Sequence, residues 1–263
     1  MPDLSPRVAS GFDRVMSVQR PVVLAHIRSI RRRRPHDSPA QLIKALENRY
    51  LAAVTAGGAG VGAAAAIPAV GTATSLALSG AETVGFLEAS ALYAQSVTEI
   101  HGIAVDDPER ARTLVMALML GTTGQDLIRQ FAGQASGGKG RSAYWGEFVT
   151  KNLPGPTFGL VADRIRSAFL RRFAVTQGTS VVGRLIPFGI GAVIGGAGNH
   201  LMGRKIVNSS REAFGPAPAV FPSTLDAVPR LPRAPRAARQ PGLPRFPRRS
   251  QPPPPKQIER LPD

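Results

Sequence analysis

The chain has 263 residues, no cysteine and a formal net charge of +16. The absence of cysteine excludes disulfides, thiolate nucleophiles and cysteine-ligated metals, and the positive charge favours polyanionic partners, either nucleic acid or anionic lipid. Aromatic residues make up only 6% of the chain, and no stretch keeps the apolar–polar alternation that is typical of strands. The sequence therefore predicts an all-α fold.

Residues 1–38 are predicted to form a basic N-terminal arm. A short apolar run at 22–24 is followed by four consecutive arginines, Arg31, Arg32, Arg33 and Arg34. A short helix of this kind is expected to rest on an anionic surface, where each basic residue contributes about 1 kcal/mol at low salt. The arm has no features of a secretory signal, so an intracellular location is expected.

The predicted helical domain covers residues 39–214 and begins at a well-marked helix start. Ser38 is placed as the N-cap, with Pro39 in the first turn. Apolar residues then recur at spacings of three and four, at Leu42, Ile43, Leu46, Tyr50 and Val54. This spacing is typical of a helix with one buried face.

A second helix start is predicted around Asp106 and Glu109, whose spacing resembles a capping box. The residues at 114–120 are all apolar. A helix that is apolar on every side must be buried either in a protein core or in lipid.

Two stretches of the domain carry no formal charge, residues 50–81 and residues 185–203. The first is rich in glycine and alanine and is expected to turn at Pro68 between two helices. Each stretch contains the spacing Gly-x-x-x-Gly, which places two missing side chains on one helix face and lets another backbone approach closely. The helix-packing positions predicted from this spacing are Gly58, Gly62, Gly191 and Gly195. A leucine there should push helices apart, and an alanine should be tolerated better.

These stretches are predicted to form helical hairpins at a membrane interface. Crossing a bilayer takes about 20 strongly apolar residues, and glycine, alanine and the prolines at Pro68 and Pro187 weaken both stretches. Shallow insertion is therefore expected in preference to full spanning. The alternative is a soluble helical bundle whose small residues pack tightly.

The stretches GTATSLALSGAETVGFLEASALYAQSVTEIHGI (71–103), DPERARTLVMALMLG (107–121) and GRLIPFGIGAVIGGAGNHLMGRKIVNSSREAFG (183–215) resemble the EcsC family of bacterial proteins. The resemblance covers roughly residues 40–215. It implies a mostly helical bacterial protein without established catalytic activity, with a possible accessory role to an ABC transporter or another membrane complex. The expected location is the bacterial cytoplasm, at the inner face of the cell membrane.

Two sequence features bear on chemistry, a glycine-rich segment and the histidines. The segment 133–140 falls short of a phosphate-binding loop, because Gly140 stands where a hydroxyl must hold magnesium, and a flexible connector is favoured. The histidines lack the spacing of metal ligands. His200, beside Asn199, is an ionisable group in an uncharged segment and so a functional candidate, although a hydrogen-bonded packing role is preferred. No catalytic residue, cofactor or metal site is predicted.

Residues 215–263 contain 14 of the 24 prolines and are predicted to be a disordered basic tail. Two functional hypotheses follow from the sequence. The first is a non-enzymatic, membrane-associated helical protein that contacts an anionic membrane surface, with a membrane protein as a possible partner. The alternative is a soluble helical module that binds nucleic acid or other polyanions non-specifically through its basic arms.

Overall fold

Helices account for nearly all of the chain that the structure describes. This computed structural model describes residues 18–65, 72–132, 155–180 and 190–225, and no strand occurs in these ranges. The predicted all-α fold is confirmed. Seven α-helices lie in the described ranges: α1 (Arg20–Arg33), α2 (Pro39–Ala65), α3 (Thr72–Ile100), α4 (Pro108–Leu120), α5 (Thr122–Ala132), α6 (Gly155–Ser180) and α7 (Ile190–Phe214), followed by a 3₁₀ turn (Ser223–Leu225).

Helix α2 begins at a reciprocal capping box. The backbone N–H of Gln41 donates to the Ser38 hydroxyl at 3.3 Å, and the backbone N–H of Ser38 donates to the Gln41 side-chain oxygen at 2.8 Å. Two backbone donors at the helix start are thereby satisfied. The predicted cap at Ser38 is confirmed.

Helix α4 begins one residue later than the predicted cap. Asp107, and not Asp106, is the N-cap, and its carboxylate accepts from the backbone N–H groups of Glu109 at 2.8 Å and Arg110 at 3.1 Å. Pro108 then occupies the first turn, where its missing N–H is not needed. Asp106 forms an ion pair with Arg20 at 2.7 Å instead.

The centre of the fold is an antiparallel pair of long helices, α2 and α7, with α3 packed against both. The apolar stripe of α2 is buried there: Leu42, Leu46, Tyr50 and Val54 are all at most 5% exposed. Helix α4 packs on α3 and α7 and carries α5 and α6. Its residues 114–118 are fully buried, so the apolar run of α4 lies in the protein core.

The helical domain extends beyond the predicted bounds of 39–214 on both sides, and residues 20–33, which the sequence assigned to a basic arm, form a helix of this domain. Helix α1 buries Val23, Ile27 and Ile30 in the common core. Its first residue, Arg20, donates from Nε to the buried carboxylate of Glu99 on α3 at 2.6 Å.

The C-terminal boundary also lies later than predicted. Leu225, which the sequence placed in the disordered tail, is 0% exposed, and its carbonyl accepts a hydrogen bond from Arg31 of α1. Helix α1 is therefore held in part by residues beyond the end of α7. The rest of the predicted tail, from residue 226, lies outside the described residues.

The hairpin predicted within 185–203 is also corrected. Residues 190–203 form the first half of α7, which continues without a break to Phe214. The uncharged stretch 50–81, in contrast, contains the end of α2 and the start of α3, as predicted. The turn around Pro68, the start of the second stretch with Pro187, and the connector 133–140 lie outside the described residues.

The packing of the residues after α7 can be tested by shortening the side chain of Leu225. Leu225→Ala should lower the free energy of unfolding by about 2 to 4 kcal/mol, because it removes a fully buried side chain. Val220, in the same segment, is 76% exposed, so Val220→Ala should change stability by less than about 0.5 kcal/mol. Denaturant unfolding of both variants is the measurement, and equal stability of the two would contradict the packing of Leu225.

Candidate functional site

Two of the four predicted packing glycines meet face to face where α2 crosses α7. An ideal Cβ on Gly58 would lie far inside van der Waals distance of the Gly195 carbonyl oxygen, and a Cβ on Gly195 would collide in the same way with the Gly58 carbonyl. The main chains of the two helices are therefore in direct contact. This approach is the kind that only a missing side chain permits.

Two further glycines of α7 continue this contact, although the sequence spacing did not single them out. A Cβ on Gly196 would lie 3.2 Å from the Ala59 methyl group, and a Cβ on Gly203 would lie 3.0 Å from Leu51. Gly62 and Gly191 lie farther along the same two helices, next to residues outside the described part of the chain.

A small polar layer crosses the three central helices beside the glycine contact. The side-chain amide of Asn199 donates to the Val54 carbonyl of α2 at 3.1 Å and also to the carboxylate of Glu82 on α3. Next to it, Nδ1 of His200 and the hydroxyl of Thr55 are 3.1 Å apart. His200 is thus hydrogen-bonded between helices, which is the role that the sequence favoured. These part-buried polar groups bond across the helices and so favour one rotation of α7 against both partners.

The three central helices share one end that carries almost no charge, here named the uncharged end: residues 50–65 of α2, 72–81 of α3 and 190–203 of α7. Its exposed positions are small or apolar, and they include Ala56, Gly57 and Ala63 on α2, Ala77 and Ala81 on α3, and Val193, Leu201 and Met202 on α7. Val193 is 70% exposed and Leu201 62%. Large apolar side chains at such exposure, grouped at one end, indicate a contact surface.

On each of the three central helices, the first exposed charged side chain after the uncharged end lies at about the same level along the bundle. A Cβ added to Gly203 of α7 would lie 3.5 Å from the Tyr50 ring of α2, and the Tyr50 hydroxyl bonds to Ser90 of α3 at 2.8 Å. The exposed charges next to these positions form a belt that borders the uncharged end: Arg49 on α2, Glu88 on α3, and Arg204 and Lys205 on α7. Cations therefore outnumber anions in this belt.

The four arginines predicted at an anionic surface lie at the opposite end of the bundle. The Arg31 guanidinium stacks on the Phe221 ring, 4.2 Å from its centroid. The neighbouring Pro222 lies near Gly102, just beyond the C-terminus of α3, where an added Cβ would be 3.8 Å from the proline ring. Arg32, Arg33 and Arg34 are exposed, and Arg34 pairs with Asp37 at 3.3 Å. The structure therefore separates the arginine cluster from the glycine-rich segments.

A charged cleft of about 210 Å³ lies between α2, α3 and α7, beyond the belt, and sequence reasoning did not identify it. At its base, Glu47 is 2% exposed and accepts from Nε of Arg211 at 2.7 Å and from Lys44 at 3.3 Å. A second nitrogen of Arg211, Nη2, bonds to the other carboxylate oxygen. The contact with Glu47 raises the pKa of Arg211 above its usual value.

Burial affects the other titratable groups of the charged cleft. His101 is half-buried and stacks on Phe214 at 5.3 Å, and its desolvation lowers the pKa of the imidazole.

One sequence signal could have located this cleft. Glu47 stands three residues before Tyr50 and four after Ile43, so a carboxylate falls beside the apolar stripe of α2.

Comparisons with known proteins give no match: no family model fits the chain, and neither a curated protein nor a solved structure is similar to it at a significant level. The resemblance to the EcsC family stays a prediction. Among the described residues, no group of histidine and acidic side chains is arranged to hold a metal ion.

The glycine contact can be tested with alanine, which the sequence alone predicted to cost less than leucine. Gly58→Ala and Gly195→Ala should each destabilise the protein by about 1 to 3 kcal/mol, because the added methyl group collides with backbone that has no room to rotate away. Leucine at either position should be at least as destabilising. Thermal unfolding of the single variants measures the effect.

Gly57 and Gly198 are matched controls on the same two helices. Neither has any atom within 4 Å of an added Cβ. Alanine there should be neutral or stabilising by up to about 1 kcal/mol, since glycine is the poorer helix former. If all four alanine variants unfolded at the same temperature, the backbone contact between α2 and α7 would be refuted.

Proposed function

We propose that this chain is a non-enzymatic, membrane-associated helical protein that inserts its uncharged end shallowly into a membrane with an anionic surface. The observation that supports the proposal is the exposure of Val193, Leu201 and Met202 at the uncharged end, where no exposed side chain of the three packed helices is charged. In water such a surface is unfavourable, and in lipid its exposed apolar area is removed from solvent.

The length of the uncharged end sets the depth of insertion. At a rise of about 1.5 Å per residue, the charge-free part of α2 is about 24 Å long and that of α7 about 21 Å. The hydrocarbon layer is about 30 Å thick. In the described ranges, no helix has both the length and the apolar character required to traverse a bilayer. Insertion from one side, with the charged belt at the headgroups, fits these lengths.

The charged belt accounts for a preference for anionic lipid. Arg49, Arg204 and Lys205 are exposed where the uncharged end begins, and a basic residue close to an anionic surface contributes about 1 kcal/mol. Their attraction adds to the burial of Leu201 and Val193, whose complete burial would contribute about 1.5 to 3 kcal/mol each. The combination is typical of interfacial binding.

This proposal changes the role that the sequence gave to Arg31–Arg34. Because these arginines lie at the far end of the bundle, they do not face the same flat membrane as the uncharged end. A role in binding another polyanion remains the alternative for them. The proposed accessory role beside a membrane transporter depends on the family resemblance and is a further proposal.

Leu201 and Leu160 allow a matched test of the membrane contact. Leu201 is 62% exposed at the uncharged end, and Leu160 is 63% exposed on α6, beside Phe158, whose ring is stacked under Arg110 near the start of α4. In flotation with vesicles that contain phosphatidylglycerol, Leu201→Glu should reduce binding about tenfold or more. Leu160→Glu should bind like the unmodified chain.

Charge variants separate the two basic regions in the same assay. Arg204→Gln combined with Lys205→Gln should weaken binding to anionic vesicles and reduce its salt dependence. Arg32→Gln combined with Arg33→Gln should leave vesicle binding unchanged. If the double variant of Arg32 and Arg33 lost vesicle binding while Leu201→Glu kept it, the proposed orientation would be refuted. Binding to DNA with no binding to vesicles would favour the polyanion alternative.

A further inference from the structure

The carboxylate of Glu82 lies level with the uncharged end, although no exposed side chain of that end is charged. Glu82 is part-buried and directly follows the last residue of the uncharged end on α3. The side-chain amide of Asn199 donates to its carboxylate and also to the Val54 carbonyl of α2 at 3.1 Å. Since Asn199 and Val54 both belong to the uncharged end, this amide holds an ionisable group within it.

The position of Glu82 relative to the charged belt decides how deep its carboxylate lies in a membrane. Glu82 stands six residues before Glu88, the belt residue of its own helix, and its partner Asn199 stands five residues before Arg204. At a rise of about 1.5 Å per residue, the carboxylate is about 8 Å from the belt, on the side of the uncharged end. With the belt at the headgroups, Glu82 therefore enters the lipid.

The charges on the surrounding helices do not neutralise this carboxylate. Among the described residues, its hydrogen-bond partner is an amide, and no cation pairs with it. The titratable side chain at this level of α7 is His200, which bonds to α2, and residues 50–65 of α2 carry no charge. Helix α1 reaches α3 at Glu99, through Arg20, and the charged residues of α4, at 109–112, follow shortly after the end of α3.

Insertion changes which form of the Glu82 side chain is favoured. An ionised carboxylate without a cation is strongly unfavourable once lipid replaces water around it. A protonated carboxyl group carries no charge, and its carbonyl oxygen can still accept the hydrogen bond from Asn199. The uncharged end therefore enters lipid more readily with a proton on Glu82.

We propose that Glu82 takes up a proton when the uncharged end inserts, so that acidity strengthens membrane binding. This inference rests on the proposed membrane insertion and adds its regulation. Because one proton is bound at Glu82 on insertion, affinity rises as the pH falls, by at most about tenfold per pH unit. His200 has the opposite sign, since lipid disfavours the imidazolium that forms in acid.

Flotation with vesicles of phosphatidylglycerol and phosphatidylcholine tests the inference at two acidities. The unmodified chain should bind about tenfold more tightly near pH 5 than near pH 7.5. Glu82→Gln removes the charge and keeps an oxygen that can accept from Asn199. This variant should bind near pH 7.5 as tightly as the unmodified chain does near pH 5, and most of the pH dependence should be lost.

Glu88→Gln is the matched control, because it removes the same charge from an exposed position in the belt. It should keep the pH dependence of the unmodified chain. Protonation of the histidines also adds positive charge in this pH range, but that effect should persist in both variants. Equal pH dependence in Glu82→Gln and the unmodified chain would overturn the role of Glu82 and leave the membrane proposal standing. No vesicle binding at either pH would overturn both.

A fluorescent label separates insertion from electrostatic attachment. The chain has no cysteine, so Val193→Cys provides one labelling site at the uncharged end for an environment-sensitive dye. With vesicles present, the dye emission should shift to shorter wavelength as the pH falls, and in the Glu82→Gln background the shift should already be complete near pH 7.5. An emission shift that followed pH equally in both backgrounds would overturn the inference.

Discussion

The direct contact between the backbones of α2 and α7 at Gly58 and Gly195 is the constraint on which the arrangement of the central helices depends. Helix axes normally stay about 8 to 10 Å apart because side chains separate them, and here neither helix has a side chain at the crossing. The approach brings Asn199 within reach of the Val54 carbonyl and lets it bond to Glu82. Three helices are thereby fixed in one register by a glycine pair and one amide.

The same register decides where charge is placed along the bundle. On one side of the glycine contact, α2 and α7 continue without charge to their described ends. On the other side, the antiparallel arrangement brings Arg211 onto the buried Glu47. A buried carboxylate is strongly unfavourable unless it is paired, so this ion pair reinforces the register that the glycines allow. The result is a bundle with an apolar end and a charged end.

Packing at the charged end gives α1 and the residues after α7 a structural role. Arg20 pairs with Glu99 and Asp106, and Arg31 bonds to the carbonyl of Leu225. Arginine residues that look like a surface-binding cluster in the sequence are in part used to hold the ends of the domain together. Arg32 and Arg33 remain exposed, at a distance from the uncharged end.

The sequence by itself determined the helices, several of their starts and the small residues that allow close packing, because capping, periodicity and glycine spacing are local properties. Ser38, the stripe from Leu42 to Val54 and the packing roles of Gly58 and Gly195, each taken singly, were all predictable in this way. Only the tertiary structure decided which glycines meet, that residues 190–203 belong to one long helix, and that α1 and Leu225 join the core. It also created the charged cleft, because Glu47, Tyr93 and Ser210 come from three helices far apart in the chain. Contacts between distant segments depend on the register of whole helices, and no local pattern specifies that register.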